Sequence, residues 1–328
     1  YFAGWRLPTP GCVLRLDDDA VNVAAFVRGL DFGAADNPMG IPKVLARDEV
    51  FLVSGAEILD RRSGGDPSRV VSSGDDFVDV STRSRDVRLR LESTAGREGV
   101  GSLARLEGTE LRAGTPDDEW IASFERQFRR HESYWMSRFG RLAPLVPAEL
   151  GGGSAAVSRQ VRLDLSGLEL RGLSGSDGAH FALAALLAWL RVEVGQPFDV
   201  AFGEPGLTRE ILARGLGTLV VARPPLRVDV STGETLTQCS ARLREERDQR
   251  RPLGTCSIDL PHRVRRLRSA SRLFPAVVVA LLDETGGGES RAPDVCGVEL
   301  GVSVDADGRG VTFRSCAGGE GALERLSK

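Results

Sequence analysis

The stretch TPDDEWIASFERQFRRHESYWMSRFG, Thr115 to Gly140, decides how the rest of the chain is divided. Trp120, Phe124, Phe128, His131, Trp135 and Phe139 recur at steps of three or four, which predicts one long amphipathic helix carrying an aromatic stripe against a core. Thr115 reads as the N-cap, Pro116 suits the first helical position, Asp117 and Asp118 complement the helix dipole, and Gly140 supplies the stop. The sequence on either side differs in character, so function is expected in the bodies that this helix connects.

With 328 residues, 41% hydrophobic and 27% charged, the chain has enough material for two folded domains and is not disordered in composition. A net charge of −3 gives no electrostatic footprint for nucleic acid. Lysine occurs only at Lys43 and Lys328, so 41 of the 43 basic residues are arginine. The five cysteines (Cys12, Cys239, Cys256, Cys296, Cys316) form no CxxC pair and have no histidine at ligand spacing, which predicts reduced cytoplasmic thiols, no metal and no cofactor. The longest apolar run, Phe181 to Leu190, falls short of the roughly 18 residues of a membrane span. A start at YFAGW, without a signal core, reads as part of something longer and offers no support for secretion.

Upstream, Ala20 to Leu30 reads as a short helix after Asp17, Asp18 and Asp19, followed by the Gly/Pro-rich segment Asp31 to Leu45. Short β runs then follow at Val50–Val53, Arg69–Val71, Phe77–Val80 and Val87–Leu91, separated by Gly/Asp turns, a pattern for a small barrel. In FVRGLDFGAADNPMGIPKVL, Phe26 to Leu45, the residues Arg28, Leu30, Asp31, Phe32, Gly33, Asn37, Pro38, Gly40, Pro42 and Lys43 resemble the opening of the C-terminal domain of the formyltransferase family, in versions fused to nonribosomal peptide synthetases. The resemblance implies an OB-like β-barrel over about residues 20 to 92. It brings no catalytic residues, because that family's one-carbon chemistry sits in an N-terminal domain with no counterpart here. With Phe51 and Phe77 the only aromatics in the strand region, a scaffold role is favoured over a strand-binding groove. Thr94 to Gly114 is Gly-rich and reads as a linker.

Downstream, Glu132, Tyr134 and Trp135 form an E-x-Y-W phrase that resembles the midpoint of nonribosomal peptide synthetase condensation domains, where the first lobe hands over to the second. The order that follows agrees with that second lobe: a buried helix Ala179–Val194, a strand Pro197–Phe202, a passage in which Gly217, Pro225, Leu226, Arg227 and Val228 match the family, and a helix from about Thr232 to Gln249 opened by a Ser231/Glu234 capping box. An apolar strand Phe274–Asp283 and a hairpin of Gly297–Val304 with Gly310–Arg314 complete it. The expected architecture is therefore an α+β and α/β two-domain chain. Residues 1–93 form the formyltransferase-like barrel, 94–114 the linker, and 115–328 a chloramphenicol-acetyltransferase-like half, the condensation C-lobe.

Condensation domains carry an HHxxxDG motif upstream of E-x-Y-W, and this chain has none. Its histidines are His131, His180 and His262, unpaired in sequence, so the general base of that chemistry is missing and no catalytic, cofactor or metal residue is assigned. Ser174, Asp177 and His180 lie within seven residues, too close in the chain to align as a triad, and read as a turn and helix start. The basic segment His262, Arg263, Arg265, Arg266 and Arg268, with Arg242 to Arg251, is the expected face for a carrier protein or acidic partner; its alternative is a solvated surface. The two resemblances imply a non-catalytic scaffold of a nonribosomal peptide synthetase in antibiotic or other natural-product biosynthesis, with an adenylation domain or carrier protein as partner. The alternative is an acyl or aminoacyl transferase fragment whose histidine comes from another chain or region.

Overall fold

A computed structural model describes residues 9–46, 49–93, 103–112, 115–145, 159–164, 176–231, 233–267, 277–281, 300–305 and 310–315. The chain divides into two compact units. The first comprises Tyr1–Gly140, Ile211–Val221 and Thr255–Leu273, and the second Arg141–Glu210, Ala222–Gly254 and Phe274–Lys328. The boundary thus falls after the aromatic segment, later than the expected boundary at Thr115, and two stretches from the second half of the sequence belong to the first unit.

In the first unit, helix α1 (Ala20–Gly29) packs on an antiparallel sheet of β1 (Lys43–Ala46), β2 (Glu49–Ile58), β3 (Val70–Ser73), β4 (Phe77–Val80) and β5 (Val87–Ser93), in the order β1-β2-β5-β4-β3. Alternation of apolar residues along β4 and β5 sends Val78, Val80, Val87, Leu89 and Leu91 inward to join Val23 and Val27 of α1. Both edges of this sheet meet the same segment. Arg112 donates its backbone N–H to Leu45 of β1 at 2.9 Å, and Leu111 donates to Ser68, just before β3, at 2.8 Å. The sheet is therefore curled and its edges are bridged, which removes the unpaired strand edges of an open sheet. This corrects the linker assignment, because Leu103, Leu106 and Leu111 of the supposed linker are core residues.

The expected single helix is broken in two. Helix α2 (Asp118–Phe128) and helix α3 (Glu132–Phe139) are separated by a 3₁₀ turn, Arg129–His131. Asp117, not Thr115, is the N-cap, accepting from the Trp120 N–H at 2.9 Å, while Thr115 binds the Asp118 carboxylate. The aromatic positions do not share one environment. Phe124, Trp135 and Phe139 are buried, whereas Trp120 is half-buried and stacks on Phe124 with centroids 5.2 Å apart. At the break, the Arg129 guanidinium donates to the Met39 carbonyl and Glu132 accepts from Arg263, so tertiary ion pairing overrides the local stripe.

The second unit is a six-stranded mixed sheet in the order β6-β11-β10-β9-β7-β8. Its strands are β6 (Arg159–Asp164), β7 (Phe198–Phe202), β8 (Pro225–Val228), β9 (Val277–Leu281), β10 (Leu300–Val304) and β11 (Gly310–Ser315). Strand β9 runs parallel to both neighbours, and β10 and β11 form the expected antiparallel hairpin. Helices α4 (Ser176–Val194) and α6 (Leu236–Arg250) pack on each other and close the core around Leu183, Leu187, Phe198, Phe202, Leu226 and Val279. Helix α5 (Pro205–Ala213) follows β7. The capping box of α6 is Thr235 with Gln238, four residues beyond the expected Ser231. Ser231 does bind Glu234, its backbone N–H reaching the carboxylate at 3.0 Å, but it closes the preceding turn. Among the described residues, no helix is long and apolar enough to cross a membrane.

Candidate functional site: a buried ion cluster in the first unit

The Gly/Pro-rich segment between α1 and β1 is irregular because Asn37 organises it. Its side-chain amide donates to Leu30 and Gly40 carbonyls at 2.9 Å each, and its Oδ1 accepts from the N–H groups of Met39 and Gly40 at 2.8 and 3.0 Å. Every polar atom of the buried amide is thus used. Gly40 has φ +139, and a Cβ placed there would lie 2.6 Å from the Cys12 Sγ. Gly40→Ala is expected to cost about 1–3 kcal/mol through backbone strain and overpacking; an unchanged denaturant midpoint would show that the turn yields freely.

This turn delivers Lys43 to a fully buried position. Its ammonium donates to the Gly11 carbonyl at 2.8 Å and the Ile41 carbonyl at 3.0 Å, and lies 3.1 Å from Asp259 Oδ2. Three N–H donors meet three acceptors. Asp259 precedes the short helix α7 (Leu260–Arg263) and also accepts from the Ile41 N–H at 2.8 Å and from the Ser257 hydroxyl. Arg263, one turn on, lies 3.7 Å from Asp259 and donates to Glu132 Oε1 at 2.5 Å. The Arg263 carbonyl in turn accepts from the Asn37 N–H at 2.9 Å. Lys43, Asp259, Arg263 and Glu132 therefore form one chain of alternating charges, joined to the Asn37 turn through Lys43, Asp259 and Arg263.

The electrostatics follow from burial against pairing. Burial alone would push the Asp259 carboxyl up, but Lys43 and Arg263 outweigh it and hold the group well below the ordinary carboxylate range. Burial pushes the Cys12 thiol up to about 12 and the Cys256 thiol well above its ordinary value, so both are protonated, inert thiols. Glu125 accepts from the Gly11 N–H at 3.1 Å, and there burial wins over Lys43 and Arg129, raising its pKa. An acid that binds its proton more tightly when folded loses stability as pH rises from its unfolded value through its raised folded one. Glu125→Gln is expected to flatten that slope in a pH series of melting temperatures, and an unchanged slope would place the titration elsewhere.

The cavity lined by Cys12, Gly40, Lys43, Glu125, Glu132 and Asp259 has a volume of ≈ 20 Å³. That is room for about one water molecule. The ion pairs and hydrogen bonds of this site hold chain segments of the first unit together.

The basic residues singled out in the sequence are dispersed. Arg263 is buried in the cluster, which corrects its assignment to a solvent-facing partner surface; His262 is half-buried, Arg265 and Arg266 are exposed, and Arg268 lies outside the described residues. Along α6 the charges are met within the second unit: Arg242 by Glu234 at 2.8 Å, Arg244 by Asp177 at 2.6 Å, and Arg247 by Glu204 at 2.9 Å, while Arg250 is buried. Of the close Ser174/Asp177/His180 set, Ser174 lies outside the described residues, Asp177 takes Arg244, and His180 touches the Arg247 guanidinium. On the curled sheet of the first unit, Arg88 lies 4.0 Å over the Phe77 ring but is held by the buried Asp79, as is Arg61. His131 is the half-buried N-cap of α3.

The cluster itself was not foreseen. One signal was available: a single internal lysine in a chain that otherwise uses arginine. Glu132 of the E-x-Y-W phrase and Asn37, Gly40 and Lys43 of the Phe26–Leu45 stretch meet here, in one unit.

No protein-family profile matches the chain, and no curated protein matches it. Solved structures similar to it include condensation domains of peptide synthetases. A variant of the starter condensation domain of rhizomide synthetase, in complex with C8-CoA and Leu-SNAC, is 17% identical, with 64% of this chain and 52% of that chain covered and a TM-score of 0.40. The X-domain from teicoplanin biosynthesis is 14% identical, over 72% of this chain and 65% of that one, at a TM-score of 0.41. The first condensation domain of the CDA synthetase is 16% identical, over 80% and 66%, at 0.42. The chain spans about half to two thirds of the length of these neighbours.

Proposed function

We propose that the chain is a non-catalytic scaffold and interaction module of a nonribosomal peptide synthetase, combining a formyltransferase-like OB barrel with a condensation-like second lobe and packing on an adenylation domain. The observation that carries this reading is the fate of the residues behind the two resemblances. Asn37, Gly40 and Lys43 from one, and Glu132 and Trp135 from the other, are consumed in holding the first unit together. Residues so committed serve cohesion. The arginines of the barrel and of α6 that would serve a strand or a carrier are likewise largely committed to carboxylates of the chain itself.

The test is amino-acid-dependent adenylation by the adenylation domain of the same synthetase, with and without this chain, alongside co-elution on size exclusion. Co-elution, together with collapse of adenylation or carrier loading when the chain is withheld, is the expected result. Separate elution with unchanged activity overturns the scaffold reading and turns attention to acyl transfer with a histidine supplied from outside this sequence.

A further inference from the structure

The arginines most removed from solvent in the described structure share one property: each is matched by groups of the chain itself. Arg263 has Glu132 and Asp259. Arg247 grips both oxygens of Glu204, at 3.1 and 2.9 Å, and lies over the Phe202 ring. Arg250 donates to the carbonyls of Phe202, Pro224 and Pro225 and lies 3.8 Å from Glu204.

Arg223 is the departure. It sits between Ala222 and the Pro224–Pro225 pair, at the entry to β8, half-buried. Among the described residues it makes no hydrogen bond and no ion pair and no charged group acts on it, and burial lowers its pKa to about 10. The carboxylate at the end of β7, Glu204, is already taken by Arg247 and Arg250.

Its surroundings are built closely. A Cβ at Gly203 would lie 3.0 Å from the Arg223 Cγ, 2.9 Å from the Ala222 carbonyl and 2.1 Å from the Thr208 hydroxyl, so only glycine lets β7 approach the Arg223 stem. Thr208 donates to the Ala222 carbonyl at 2.9 Å, and Phe202 donates its N–H to Pro224 at 3.0 Å, fixing the backbone on both sides of the arginine. A half-buried guanidinium that is partly stripped of water and has no counter-ion among the described residues gains when an anion arrives, and its planar fork suits two oxygens.

We propose that Arg223 anchors an oxyanion site in the second unit that takes the carboxylate or phosphate group of a ligand. This inference is independent of the scaffold reading, since it concerns one side chain and its counter-ion.

The experiment uses the full chain at low ionic strength. Melting temperature and calorimetric binding are followed against sodium phosphate, sodium acetate and, at matched ionic strength, sodium chloride, for the wild type, Arg223→Gln, Arg223→Lys and the exposed control Arg251→Gln. The expected result is a saturating rise with phosphate or acetate beyond that of chloride, preserved in Arg251→Gln and weakened at least tenfold in apparent Kd in Arg223→Gln. Arg223→Lys keeps the charge, loses the fork and falls between. A response to phosphate alone assigns a phosphate-bearing ligand, to acetate alone a carboxylate, and to both a general oxyanion site. Without anion, Arg223→Gln is expected to be at least as stable as the wild type. No saturating response, an equal response in Arg223→Gln, or a loss of anion-free stability in that variant overturns the proposal.

Discussion

Asp259→Ala is expected to lower the unfolding free energy by about 3–5 kcal/mol, the scale for breaking a buried ion pair by removing one partner. The carboxylate is 1% exposed and receives the Lys43 ammonium, the Ile41 N–H, the Ser257 hydroxyl and the nearby Arg263 guanidinium. Removing it leaves two buried cations with only carbonyls and Glu132. Adding Lys43→Met to Asp259→Ala should cost less than Lys43→Met alone, because it removes a charge that the first change had orphaned. The pH dependence carries the same signature. A carboxylate held below its ordinary range when folded contributes stability that is fully present above its unfolded value of about 3.9 and is lost as pH falls from there towards the folded value. The wild type should therefore lose stability through that acid window and Asp259→Ala should not. Urea titrations at several pH values read both effects. A loss below about 1 kcal/mol, or an unchanged acid slope, would mean that water reaches the pair.

Lys43→Arg is the second large effect, at about 2–4 kcal/mol, from overpacking together with unmade buried hydrogen bonds. The substitution keeps the charge and matches the chain's own habit, since 41 of its 43 basic residues are arginine. Geometry forbids it. The three acceptors, two carbonyls and one carboxylate at 2.8 to 3.1 Å, converge on a single nitrogen, and the adjoining cavity of ≈ 20 Å³ cannot take a planar guanidinium. An arginine variant as stable as the wild type would refute this account of why lysine persists at one internal position.

Much of the fold was legible. Alternating strands at Phe77–Val80 and Val87–Ser93, the apolar helix α4 and the β10–β11 hairpin are local patterns whose period states which face is buried. The break between α2 and α3 was not, because the aromatic spacing runs through it and its cause is an arginine more than a hundred residues away. The ion cluster was hidden for the same reason. Ile41 and Asp259 are 218 positions apart, and no periodicity encodes which acid a lysine will meet. Sequence reading also divided the chain at its Gly-rich segment, although Leu103, Leu106 and Leu111 there are fully enclosed. Glycine marks a turn, and whether that turn ends a domain depends on contacts formed elsewhere.

The sealed position of Lys43 has a practical corollary. The other lysine is Lys328, so among side-chain amines a Lys328→Arg protein offers an acylating reagent one target, 1% exposed. Acylation there requires the surrounding segments to part first. Its rate, followed by mass spectrometry of the peptide bearing residue 43, becomes a clock for spontaneous opening events under native conditions.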